Sequence, residues 1–148
     1  MRKIVLGLLA VACVVPALAL AATPKKDSAY AYCENQNSCP FTFETSKNGR
    51  KIVDIKAYNK CAPVPIEGTG YPKIRVKDTG KFKKSGTVTD LTGNEVTFTF
   101  KGKFKKPKKA VGTYELDSVE TRDGKVRECD AEPEEFVAKR TGPAQEGI

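Results

Sequence analysis

The sequence predicts an all-β domain, either a single antiparallel β-sandwich or an open barrel of seven to eight short strands. Three observations predict it. Apolar and polar residues alternate with period two in segment after segment. Asn-Gly, Gly-Asn and Asp-Gly dipeptides fall between those segments. No stretch sustains the 3.6-residue period of an amphipathic helix.

The chain has 148 residues, enough for one domain. Its start reads as an export signal, residues 1–21. Arg2 and Lys3 precede an uncharged apolar run from Ile4 to Val15, Pro16 breaks the run, and small residues Ala17, Ala19, Ala21 and Ala22 supply A-x-A cleavage sites. The run is too short for a transmembrane helix, which needs about 20 apolar residues. Cys13 raises lipidation as a minor alternative, but Ala10-Val11-Ala12 does not match the Leu-small-small triplet of a lipoprotein signal. Residues 22–28, polar and basic, read as a flexible leader. Residues 141–148 read as a flexible tail, which leaves 29–140 as the β domain.

Strand by strand, Phe41 and Phe43 alternate with Thr42 and Glu44. Val53, Ile55 and Ala57 alternate with Asp54, Lys56 and Tyr58, and Cys61 keeps their phase. Ile74 and Val76 alternate with Arg75 and Lys77. The longest alternation is Val96, Phe98 and Phe100, continued through Gly102 to Phe104; Tyr114 and Leu116 follow, then Phe136 and Ala138. Asn48-Gly49, Gly93-Asn94 and Asp123-Gly124 mark three hairpins, because each dipeptide tolerates the positive φ of a tight turn. Pro63 and Pro65 make the stretch after Cys61 a loop or a protected edge. Gly80-Lys81-Phe82-Lys83-Lys84 recurs as Gly102-Lys103-Phe104-Lys105-Lys106, which suggests equivalent strand positions with a buried Phe between exposed lysines.

Four cysteines remain after the signal, Cys33, Cys39, Cys61 and Cys129, and an even count in an exported chain implies disulfides. Four cysteines allow three connectivities; the short Cys33–Cys39 spacing favours a local loop and leaves Cys61 with Cys129. With no C-x-x-C pair and no His in the chain, a zinc site is not expected, nor is any other metal or cofactor.

Taken in order, Cys61, Gly80-Lys81-Phe82, Gly102-Lys103-Phe104, Lys109-Ala110-Val111-Gly112-Thr113-Tyr114, Cys129 and Phe136-Val137-Ala138-Lys139-Arg140 resemble the framework of small secreted β-rich domains of actinobacterial proteins that have no assigned function. The resemblance covers roughly Phe41 to Arg140, with Phe136 where that family has an aromatic, often Trp; the Cys33–Cys39 pair is a departure from it. The resemblance implies an all-β fold and the Cys61–Cys129 pairing, and it implies no activity. Phe82, Phe104, Tyr114 and Phe136 read as core aromatics.

The absence of His removes the usual Ser-His-Asp and Cys-His arrangements, and no phosphate loop or dinucleotide fingerprint is present. Asp117, Glu120, Asp123, Glu128 and Asp130 cluster near one hairpin. A carboxylate-based hydrolase or a weak calcium site there is the lesser reading beside solvated charges at a turn. The chain is therefore expected not to be an enzyme.

Charge is the informative feature. Lys47 to Lys109 carries 17 basic and 5 acidic residues, whereas Glu115 to Glu135 carries 3 basic and 9 acidic. Lys101, Lys103, Lys105, Lys106, Lys108 and Lys109 crowd one stretch, and Lys81, Lys83 and Lys84 would lie beside them if the two arms pair. Such a field suits an anionic polymer or an anionic membrane surface of the cell envelope. Sequence-specific nucleic-acid recognition is not expected, because lysines are point charges without the Arg fork. Two other readings give these lysines no ligand: they guard exposed strand edges, or they face the acidic segment or a partner protein.

Overall fold

The computed structural model describes residues 22–62, 72–89, 93–122 and 124–144. Residues 1–21, the stretch read as an export signal and containing Cys13, together with the Pro63–Pro65 stretch, Asp123 of the third turn, and residues 145–148, lie outside the described residues. The described chain is all-β. Its strands are β1 (Ser28–Tyr32), β2 (Phe41–Thr45), β3 (Lys51–Ala57), β4 (Ile74–Arg75), β5 (Lys81–Thr89), β6 (Glu95–Lys106), β7 (Lys109–Arg122), β8 (Lys125–Cys129) and β9 (Glu134–Pro143). Eight of them form one antiparallel sheet in the order β4-β3-β2-β1-β9-β7-β6-β5, and β8 adds to the second half of β7. The sheet curls until its two ends, β4 and β5, meet at the turn Lys77–Gly80, giving a nearly closed barrel. The choice between sandwich and barrel is thereby decided.

Closure depends on β1 pairing with β9, which places Ser28 opposite Pro143 and Ala31 opposite Lys139. The ordered domain is accordingly wider than the hydrophobic periodicity marks. β9 continues past Arg140 to Pro143, and the residues read as a leader are tied down by backbone bonds from Lys25 N–H to the Pro107 carbonyl (3.0 Å) and from Asp27 N–H to the Ser46 carbonyl (3.2 Å). The Lys25 carbonyl in turn accepts from Thr45 Oγ1 at 2.7 Å.

Alternation translates directly into burial along β6, where Val96, Phe98, Phe100 and Phe104 point inward. In β3 the expected phase fails. Ile52, Ile55 and Ala57 are buried while Val53 is half-exposed, because the register with β2 slips between Thr42 and Glu44 and Asp54 takes φ +46°. A bulge adds one residue to one strand and so brings both flanking isoleucines to the same face; Asp is one of the few non-glycine residues that accept positive φ. Of the hairpin dipeptides, Gly49 (φ +69°), Gly93 (φ +89°) and Gly124 (φ +71°) all take the positive φ predicted for them. The β6–β7 turn at Pro107-Lys108 has no such signal.

The core is aromatic. Phe41 lies at its centre, with ring centroids 4.6 Å from Phe136, 5.2 Å from Tyr114, 5.5 Å from Phe100 and 5.7 Å from Phe43. Tyr30 stacks on Phe43, and Phe82 packs on Phe104. All four aromatics expected in the core, Phe82, Phe104, Tyr114 and Phe136, are there. The two buried phenols each keep a partner: Tyr30 Oη donates to the Pro107 carbonyl at 2.6 Å and Tyr114 Oη donates to Glu134 Oε2 at 2.6 Å.

Burial, reinforced by the Glu134 carboxylate, pushes the Tyr114 phenol far above its ordinary range, and burial raises Tyr30 as well. The folded state therefore holds these protons after the unfolded chain has released them. Their stabilisation is full below pH 10 and falls as pH rises beyond it, by up to about 1.4 kcal/mol per pH unit for each phenol. In urea titrations from pH 9 to 11.5, Tyr114→Phe is expected to show a shallower loss of stability than the parent. Parallel slopes would mean that the phenol ionises freely in the fold.

Candidate functional site

Antiparallel connectivity sorts the turns into two ends. The β2–β3, β4–β5 and β6–β7 turns share one end with residues 22–27 and with the end of β9, as bonds Lys25–Pro107, Asp27–Ser46 and Ala144–Asp27 attest. Lys25, Lys26, Lys47, Arg50, Lys77, Lys106, Lys108 and Lys109 lie there, against the acidic Asp27 and Asp78. The opposite end carries both disulfides, Cys33–Cys39 and Cys61–Cys129, the β7–β8 hairpin and the acidic residues Glu34, Glu128, Asp130 and Glu132, against the basic Lys60, Lys125 and Arg127. The uneven charge along the sequence thus becomes a polarity along the barrel axis.

The nine lysines singled out from sequence fall on three adjacent strands and the turn joining two of them. Lys81 stands directly opposite Lys103, and Lys83 opposite Lys101. Lys106 pairs with Lys109 around the tight turn holding Lys108, and Lys109 also faces Lys139 of β9. Lys84 stands opposite Phe100, and Lys105 sits where the β6–β7 register slips. Eight of these nine are exposed and Lys103 is half-buried. Like charges directly opposed across strands repel, by roughly 0.2–1 kcal/mol per pair. Edge protection accounts only for the three on β5, the terminal strand of the sheet; the other six are on or between β6 and β7, inside it.

On the outer face the lysines rim a groove of about 510 Å³ across β5, β6 and β7, lined by Lys81, Lys83, Lys101 and Lys103 over Val111, Thr113 and the backbone of Gly102 and Gly112. A second groove, of about 610 Å³, shares Val111, Gly112 and Thr113 and continues to Glu135, Val137 and Tyr32. Sequence reading missed this second groove. Its signal was present in Val111 and Val137, apolar residues in the outward phase of their strands; Val137 is 44% exposed.

Asp117 Oδ1 accepts the Ala131 N–H at 2.9 Å and so fixes the start of the β8–β9 connection, Glu120 lies opposite Arg127 in the β7–β8 ladder, and Asp123 is outside the described residues. Among the described residues no three His, Cys, Asp or Glu side chains are grouped to hold a metal ion. Comparison with known protein families, curated proteins and solved structures finds no match. The two disulfides are consistent with an extracellular or exported protein.

Proposed function

We propose that the chain is an exported, non-enzymatic β-barrel domain, directed by the signal at residues 1–21, whose lysine face binds an anionic component of the cell envelope, either a polymer or a membrane surface. The observation that carries this reading is the set of directly opposed lysine pairs, Lys81–Lys103, Lys83–Lys101, Lys106–Lys109 and Lys109–Lys139, on adjoining strands. A bound anion between such pairs turns their mutual repulsion into attraction. The reading gives no reason for base-specific nucleic-acid contact, since the face presents point charges. The resemblance to actinobacterial secreted domains agrees with export and adds no ligand.

The end-to-end polarity supports a second reading, a protein-interaction domain in which the basic end of one barrel meets an acidic surface. The test separates the two. Polyphosphate and other anionic polymers are titrated at low and moderate salt against the parent and against a variant with Lys101, Lys103, Lys105, Lys106, Lys108 and Lys109 changed to Gln. The expected result is salt-sensitive binding by the parent, weakened at least about tenfold in the variant, because each phosphate contact adds to the logarithmic salt slope. Equal, negligible binding by both would reject the anion site. Salt-sensitive self-association without polymer binding would select the interaction domain.

A further inference from the structure

We infer that the outer trough holds a single-chain lipid with a phosphate headgroup, the phosphate on the lysine rim and the chain lying across β7 and β9 toward Tyr32. The inference rests on the lysine face being an anion site and narrows its ligand class. A simple polyanion needs charge alone, and the convex turn at Lys106–Lys109 would serve it. The trough offers something different at each end. At one end Lys81, Lys83, Lys101 and Lys103 converge over a concave surface; at the other, the walls are Val137 and Tyr32, with the carboxylate of Glu135 beside them. A polymer with a charge on every repeat would run its next anion onto Glu135. A molecule with one charged end and a neutral tail meets a matching surface throughout.

The dimensions agree. From β5 to β9 the trough crosses three interstrand spacings, about 14 Å, and reaching β1 adds about 5 Å more. Val111 and Thr113 belong to both grooves, so head and tail would share one continuous wall. Val137, 44% exposed, would lose its contact with water under such a chain.

Calorimetric titration of the disulfide-bonded protein with ethyl phosphate, octyl phosphate below its micelle concentration, and tripolyphosphate tests this. Octyl phosphate is expected to bind at one molecule per barrel and at least about tenfold tighter than ethyl phosphate, since each added methylene that leaves water contributes to affinity. In Val111→Asn/Val137→Asn, confirmed folded by circular dichroism, that ratio should collapse toward one. Lys101→Gln/Lys103→Gln should weaken all three ligands. Equal affinity for the two alkyl phosphates, with tripolyphosphate still bound, would overturn the lipid and leave the anion site standing. A chain-length preference that survives the double valine variant would overturn the placement of the tail. Failure of all three ligands to bind would remove both readings.

Discussion

Replacing Cys61 and Cys129 together with Ser is expected to lower the unfolding free energy by about 4 kcal/mol, roughly twice the effect of the same change at Cys33 and Cys39. The difference follows from the loops the bonds close, 68 residues against 6. Constraining the longer loop removes more freedom from the unfolded chain. The native state adds a local reason. β8 lies off the main order of the barrel, its side chains Lys125–Glu128 are exposed, and its hydrogen-bonded neighbour is β7 alone. The disulfide ties its last residue to Cys61. That residue is itself held, because its N–H donates to Asn59 Oδ1 (2.9 Å) and its carbonyl accepts from Ser118 Oγ (2.7 Å). Asn59 completes the clamp by donating to the Leu116 carbonyl at 3.0 Å. Urea melts of the two double variants under identical conditions measure the ranking. A Cys61/Cys129 variant within about 1 kcal/mol of the parent would show that the unfolded chain was never constrained as the loop length requires.

The parts of this fold that were legible in the sequence are those governed by neighbours along the chain. Val96, Phe98, Phe100 and Phe104 announced their inward face because a regular strand alternates. Gly49 and Gly124 announced their turns because few residues tolerate positive φ. The misread phase of β3 came from a bulge at Asp54, whose cost is offset by partners on β2 that the local pattern does not name. The Pro107-Lys108 turn has no glycine or Asn to mark it. Barrel closure rests on β1 meeting β9 across almost the whole domain, and the anchoring of Lys25 rests on a carbonyl far along the chain at Pro107; a period-two pattern carries no information on either. The site divides in the same way. The repeated Gly-Lys-Phe-Lys-Lys foretold two lysine-bearing arms, and Lys81 does face Lys103 with Phe82 and Phe104 packed beneath, their centroids 5.7 Å apart. The glycines of the two copies differ, however: Gly80 sits in a turn at φ +72°, and Gly102 sits within a strand. The second groove of the trough needed three-dimensional adjacency of Val111 on β7 and Val137 on β9.

Gly112→Ala is expected to destabilise the barrel by about 3 kcal/mol, the upper range for forcing extra volume into a packed site. One row crosses the sheet through Phe82, Gly102, Gly112 and Phe136, two aromatic rings flanking two glycines. A Cβ at Gly112 would collide with the Lys101 carbonyl oxygen and lie 2.6 Å from the Gly102 Cα, both backbone atoms of β6 that no rotamer change can move aside. Relief requires β6 and β7 to separate, which strains the ladder from Glu95–Val119 to Lys106–Lys109, the pairing that supports the lysine rim. Gly86 and Gly142 provide graded controls. At Gly86 the nearest atom is Cζ of the Phe98 ring at 3.1 Å, so Ala there needs only a small ring shift. At Gly142 no atom lies within 4 Å and φ is not positive, so Ala is expected to be neutral or to stabilise by up to about 1 kcal/mol through the unfolded chain. Thermal and urea unfolding of the three variants should therefore rank Gly112→Ala well below Gly86→Ala, with Gly142→Ala at or above the parent. If Gly112→Ala melted with Gly142→Ala, the close approach of β6 and β7 would not exist in solution, and the trough whose base those two glycine backbones form would lose its shape with it.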